Sequence, residues 1–430
     1  MRKTALALAA VLALSACAGA GETPAGGGGY GDPAPGVTDD TVLIGTHQPL
    51  TGPAAPGYST ISAGAKAMYS YINDNGGIHG RRIDYRVEDD GYNPTRTVEV
   101  VKKLVLQDEV FAIVGGLGTP THSKVVDFLT TEGVPDLLVS SGALQWDDPK
   151  SPMTFGFQVD YTREGKILGD YIAKTFPDAK VGVFHQNDDV GRDGMAGLER
   201  YVPLAAKQGY DPANTDVLPQ ITALKQAGAG VVVCECVPAF TALAILTAAR
   251  IGYKPQFVVS SIGADPRTLT ALLSDFGKRA GAEVSAPKLL TGLVGAGYLP
   301  DIAAVDDPWT ALFHEIHRKY IPEVPLTNTV IYGMAQAYTF GQALKEAGRD
   351  LTRAGIVEVM ESGKLGGPGL TPFAFSPDSH SGYTGAYVFT VNADGSTTEK
   401  QPPMVTDRGD GPIQPAPAGR KTPDEVKLVG

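Results

Sequence analysis

The chain has 430 residues with 43% hydrophobic and 19% charged side chains, close to globular averages, so whole-chain disorder is excluded and about two or three domains are expected. Its formal charge of −11, without a basic run, is a poor match to a nucleic-acid binder, and three cysteines are too few for a disulfide framework.

The first segment reads as an address. Met1-Arg2-Lys3 is followed by an apolar run from Thr4 to Leu14, then Ser15-Ala16-Cys17. The run is shorter than the ~20 residues that span a bilayer and fits the core of a secretory signal. Small residues before a cysteine resemble the lipobox of bacterial lipoproteins. That resemblance implies cleavage after Ala16 and lipidation of Cys17, ordinary cleavage being the alternative. Residues 18–36 are Gly, Ala and Pro with few large side chains, a tether reaching roughly 25 Å. Residues 401–430, rich in Pro, Gly and charge, read as an extended tail.

Between these ends, strand and helix patterns alternate. Strands are expected at 41–45, 82–88, 110–114 and 136–140, with helices at 62–75, 95–107 and 123–131. A second set has helices at 162–176, 194–208 and 240–251 and strands at 180–185, 230–236 and 256–260. This is an α/β chain of two doubly wound parallel-sheet lobes, whose ligands bind beyond the carboxyl ends of the strands.

The loops at those ends carry the chemistry. In Gly115-Gly116-Leu117-Gly118-Thr119-Pro120-Thr121, Thr119 fits a helix N-cap and Pro120 the first turn. The glycines let a ligand approach and free N–H groups suit an anion, although a capped helix after a tight turn explains the same residues. The P-loop ending and the Gly-x-Ser-x-Gly elbow are absent. His314-Glu315-Ile316-His317 lacks zincin spacing and reads as a surface stripe. His47, His122 and His185 lie near strand ends and suggest lining at most. Asp188-Asp189 reads as a solvent-facing turn. Cys234 and Cys236, two apart on a strand, read as buried free thiols. No catalytic residue, metal ligand or cofactor is assigned.

Further motifs run in a fixed order: Pro49-Leu50-Thr51-Gly52-Pro53, Asn73-Asp74-Asn75-Gly76-Gly77-Ile78-His79-Gly80, Glu88-Asp89-Asp90, Val114-Gly115-Gly116, Gly133-Val134-Pro135 and Asn187-Asp188-Asp189-Val190-Gly191. Together with the lipobox they resemble the periplasmic binding proteins of the leucine/isoleucine/valine type, over roughly residues 40–395. The resemblance implies two lobes joined by three crossovers, residues 40–158 plus 295–385 and residues 159–294 plus 386–400, with the ligand in the cleft. It implies an extracytoplasmic, monomeric solute receptor of an ABC importer, partnered by a permease and an ATPase and lipid-anchored to the bacterial cell membrane. Lobe closure follows, with a hinge near 157–161 and Tyr161 shutting the cleft or packing on its own lobe.

Ligand contacts are carried over loop by loop. Thr119 and Thr121 stand in the first carboxylate-binding loop and Ser140, Ser141, Gly142 and Ala143 in the second; Tyr58, Tyr161, Glu235 and Ser261 complete the set. Relatives place an acid for the ligand ammonium where this chain has Ser261, and Val190 stands where an aromatic is common. A buried ammonium needs a counter-charge. The expected ligand is therefore a small organic carboxylate, aromatic acids included. Branched-chain amino acids, with Glu235 as substitute acid, or amides are the alternatives, as is a sensory role on the same fold.

Overall fold

The computed structural model describes residues 34–281 and 283–429. The expected signal segment, Cys17 and most of the tether lie outside the described residues.

The first sheet is formed by β1 (Thr41–Gln48), β2 (Arg82–Asp89), β3 (Ala112–Val114), β4 (Asp136–Val139) and β5 (Thr154–Gly156), all parallel in the order β2-β1-β3-β4-β5. β3 and β4 are wholly buried, as the apolar run of β3 requires when helices cover both faces; the one polar residue of β4, Asp136, is paired with His122. The second sheet contains β6 (Val181–Gln186), β7 (Leu204–Tyr210), β8 (Val231–Glu235), β9 (Gln256–Val259), β10 (Val294–Gly297), β11 (Gly385–Val391), β12 (Thr397–Val405) and β13 (Gln414–Pro415). Its order is β13-β12-β11-β10-β9-β8-β6-β7, parallel from β7 to β10 and antiparallel from β10 to β13.

The chain moves from the first sheet to the second after β5, leaves it after β10 and returns at β11. In the excursion, helix Asn328–Ala347 packs on helix Ile61–Asp74 of the first lobe. The contact is backbone to backbone: a Cβ on Gly64 would stand 2.1 Å from the Val330 carbonyl oxygen, and one on Gly333 2.0 Å from that of Ile61. Two α/β lobes with three crossings are the expected class. β10 belongs to the second sheet, so the boundary drawn at residue 294 falls too early.

Two expectations are corrected. Residues 194–208 are not one helix: the helix Asp189–Leu198 ends and β7 begins at Leu204, because β7 alternates in burial as an edge strand does. Residues 401–430 are not an extended tail. They complete β12, add β13 and a capped turn of helix at Pro423–Val426, and bury Leu428. The Trp309 indole donates to Lys421 O at 2.8 Å. Lys166, 1% exposed, donates to Asp407 Oδ1 at 2.9 Å and to the carbonyls of Asp407, Gly409 and Gly411 at 3.0, 2.8 and 3.0 Å. A buried ammonium with four acceptors fixes this segment to the second lobe.

Candidate functional site

A cavity of about 110 Å³, the space open to the centre of a water-sized sphere, lies between the two lobes. Its walls are largely aromatic and aliphatic: Tyr58, Tyr92, Tyr298, Tyr332, Tyr387 and Phe389 give it an apolar body. Asp265 is the one charged side chain among its described lining residues.

One wall carries hydroxyls. Helix Thr119–His122 follows β3, and its N-cap is Gly118 at φ +106°, not Thr119 as expected. Freed from capping, Thr119 Oγ1 lies 2.7 Å from Ser141 Oγ and 3.3 Å from Tyr161 OH, while Ser141 and Tyr161 are 3.5 Å apart. Tyr161 opens helix Tyr161–Thr175, held by Asp160, whose side chain accepts from Arg163 N at 2.9 Å. Burial pushes the Tyr161 phenol up to about 12, so it remains a neutral donor. Ser140 and Gln158 line the same cavity; the Ser140 hydroxyl is engaged, donating to Gly115 O at 3.2 Å and accepting from Gln336 Nε2 at 2.9 Å, whereas the Gln158 amide Nε2 is buried without a partner, leaving Thr119, Tyr161 and Gln158 as the donors. These neutral donors can hold a carboxylate.

The other expected residues divide. Tyr58 lines the cavity and donates to Ile262 O at 2.7 Å across the cleft. Ser261 lines it with Oγ unpartnered, and its N–H donates to Glu164 Oε1 at 2.7 Å. Thr121 does not reach it, because its hydroxyl donates to Leu117 O at 2.7 Å and Gly118 O at 3.1 Å. Ala143 packs with Val139, Trp146 and Val190. Gly142 permits close packing, since a Cβ there would stand 2.6 Å from Val159 O. Glu235 sits behind the wall against Gly194, where an added Cβ would lie 2.8 Å from its carboxyl carbon. Burial pushes Glu235 up to about 8 and Glu164 up to about 7, the two acids repelling each other.

The glycines before Thr119 serve protein packing. A Cβ on Gly116 would lie 2.5 Å from His122 Nδ1 and 2.7 Å from His47 Nε2; on Gly115, 2.2 Å from Gln336 Oε1. His47 and His122 are not lining residues. They form a fully buried chain, Asp90 to His47 at 2.8 Å, His47 to His122 at 2.8 Å and His122 to Asp136 at 2.7 Å. Asp188 caps helix Asp189–Leu198, and Cys234 and Cys236 form a disulfide rather than free thiols. β8 ends at Glu235, so Cys236 leaves the extended geometry and its Cα comes within 5.2 Å of that of Cys234.

Sequence reasoning missed Gln158, Glu164, Asp265, Asn328 and Tyr332. Asp265-Pro266 carried a readable helix-start signal; the others reach the cavity or the wall behind it only through the crossovers and helix rotation.

Two lobes closed on an apolar cavity with a polar wall define a bilobal small-molecule receptor. A family model described as "Periplasmic binding protein" matches residues 41–396. The Leu/Ile/Val-binding protein homolog 1 of Brucella abortus is 28% identical over 267 residues, 60% of this chain and 66% of that protein, just under two thirds of its length. A fatty acid ABC transporter substrate-binding protein from Thermomonospora curvata superposes with a TM-score of 0.74 at 21% identity, covering 88% of this chain and 95% of that one. A branched-chain amino acid ABC transporter structure from Thermus thermophilus with bound valine gives 0.73 at 19% identity, covering 86% and 98%. The chain belongs to the type I periplasmic binding proteins, of the leucine/isoleucine/valine-binding type. No helix among the described residues is long and apolar enough to cross a membrane.

Proposed function

We propose that this protein is the lipid-anchored solute receptor of an ABC importer. It captures a small, largely apolar carboxylate that lacks an α-ammonium and delivers it to a permease and ATPase. The observation that carries the reading is the pairing of a neutral donor wall (Thr119, Tyr161 and Gln158, with Ser141 behind Thr119) with an aromatic cavity body. The ligands named for the two solved neighbours, a fatty acid and valine, share a carboxylate, which supports this end of the reading. Against an α-ammonium, Ser261 offers only a hydroxyl, and neither Glu164 nor Glu235 is among the residues that line the cavity.

The second reading is a branched-chain amino acid receptor, favoured by the unpartnered Glu235 Oε1. It requires Glu235 to reach past the wall it backs. A thermal-shift screen of straight-chain and aromatic monocarboxylates against their α-amino acids separates the two, because ligand at 100 times Kd stabilises by ~2.7 kcal/mol. Shifts by the monocarboxylates support the proposal; shifts by amino acids alone reverse it. The anchor is tested by Cys17→Ala, which should release the protein from the membrane fraction; full retention of a correctly trimmed variant contradicts lipidation.

A further inference from the structure

We propose that the ligand carries a second polar group, a hydrogen-bond donor at the end remote from its carboxylate, received by Asp265 and Asn328. This rests on the carboxylate reading above and adds the chemistry of the other end.

Buried polar groups are paired in most structures, so those left unpaired around a cavity indicate what it accepts. Asp265, 8% exposed, lines the cavity. Its Oδ2 is used in capping helix Pro266–Arg279, accepting from Thr268 N at 3.2 Å and from the Thr268 hydroxyl. Its Oδ1 is buried with no partner. Asn328 lines the same cavity, and its Oδ1 is likewise buried and unpartnered. The two segments are tied together, since Arg267 Nη1 donates to Leu326 O at 3.2 Å.

The unpaired groups differ in kind. At the wall that would hold a carboxylate they include a donor, Gln158 Nε2; at Asp265 and Asn328 both are acceptors, and Ser261 Oγ can serve either way. Asn328 stands one helical turn before Tyr332, whose hydroxyl donates to Gln158 Oε1 at 3.5 Å on the carboxylate wall, so the acceptors serve another part of the ligand. An acceptor pair including a carboxylate takes a hydroxyl or an ammonium and rejects a second carboxylate. The remaining body of the cavity is apolar, as an alkyl or aryl spacer requires. The ligand class is thus an ω-hydroxy or ω-amino monocarboxylate.

Isothermal titration of the full chain with three series of four, six and eight carbons tests this: the plain monocarboxylates, their ω-hydroxy or ω-amino forms, and the corresponding dicarboxylates. At the best-fitting length the ω-donor form should bind at least tenfold tighter than the plain acid, and the dicarboxylate weakest. Asp265→Asn keeps an equivalent helix cap, so it should fold. It should erase the ω-amino preference, read as the ratio of ω-amino to plain-acid affinity within the same variant. Plain acids binding as well as their ω-donor forms, or an ω-amino preference that survives Asp265→Asn, overturns the inference while leaving the carboxylate reading standing. Failure of every carboxylate to bind overturns that reading and the inference with it.

Discussion

The hydroxyl of Thr119 has two neighbours of its own kind, at 2.7 and 3.3 Å, and no fixed acceptor that a ligand could not replace. A hydrogen bond to a charged group contributes about 1.5–3 kcal/mol, so Thr119→Val should weaken carboxylate binding roughly 10- to 100-fold by calorimetry. An affinity within twofold of wild type would remove Thr119 from the site. The acids behind Ser261 make a separate claim about pH. Glu164 and Glu235 ionise near 4.5 when unfolded but near 7 and 8 in the fold, because burial disfavours the charged forms. Between these values the unfolded chain has released protons that the folded one retains, so stability falls as pH rises from about 4.5 through about 8. Glu235→Gln removes a share of that loss. Urea unfolding should find the variant gaining on wild type between pH 5 and 9, and parallel curves would contradict the burial argument. That Thr119, Ser140 and Tyr161 reach the cavity was legible because each follows a strand end or opens a helix. Glu164 was not, since it lies one turn into a helix whose rotation the sequence leaves open.

Elements were readable where their period was pure. Ile61–Asp74 and Pro94–Leu106 match the expected helices within a residue, and β3 and β4 fall within the expected apolar runs. β7 was missed because Leu204–Tyr210 mixes Ala, Lys and Gln with few β-branched residues, a composition equally suited to helix. The terminal segment was misread because its order comes from distant partners such as Lys166 and Trp309, which local composition cannot reveal. The helix pair Ile61–Asp74 and Asn328–Ala347 shows the same long-range control. Gly333 allows backbone contact with Ile61, so Gly333→Ala sets a helix-propensity gain of about 1 kcal/mol against an overpacking cost of about 1–3 kcal/mol. Rigid backbone on both sides leaves little room to relax. The denaturant midpoint should fall by the equivalent of about 1–2 kcal/mol at unchanged slope, whereas an unchanged or higher midpoint would mean that the helices can move apart.

At the scale of the whole molecule the lobes meet across the cavity. Tyr58 OH donates to Ile262 O at 2.7 Å, Leu144 N to Asp193 Oδ2 at 2.9 Å and Gln186 Nε2 to Tyr92 OH at 3.2 Å. A ligand that bridges the walls favours this closed arrangement by its extra contacts there. Solution scattering should record a smaller radius of gyration at saturating ligand, and superimposable curves would count against closure. The closed cavity is selective for charge, and leucine and 4-methylpentanoate differ only in the α-ammonium. A competition titration between them is therefore the most direct measurement. 4-Methylpentanoate should bind at least as tightly as leucine. Tight leucine binding that is lost on Glu235→Gln, with no binding of the des-amino acid, would contradict it and make this an amino acid receptor.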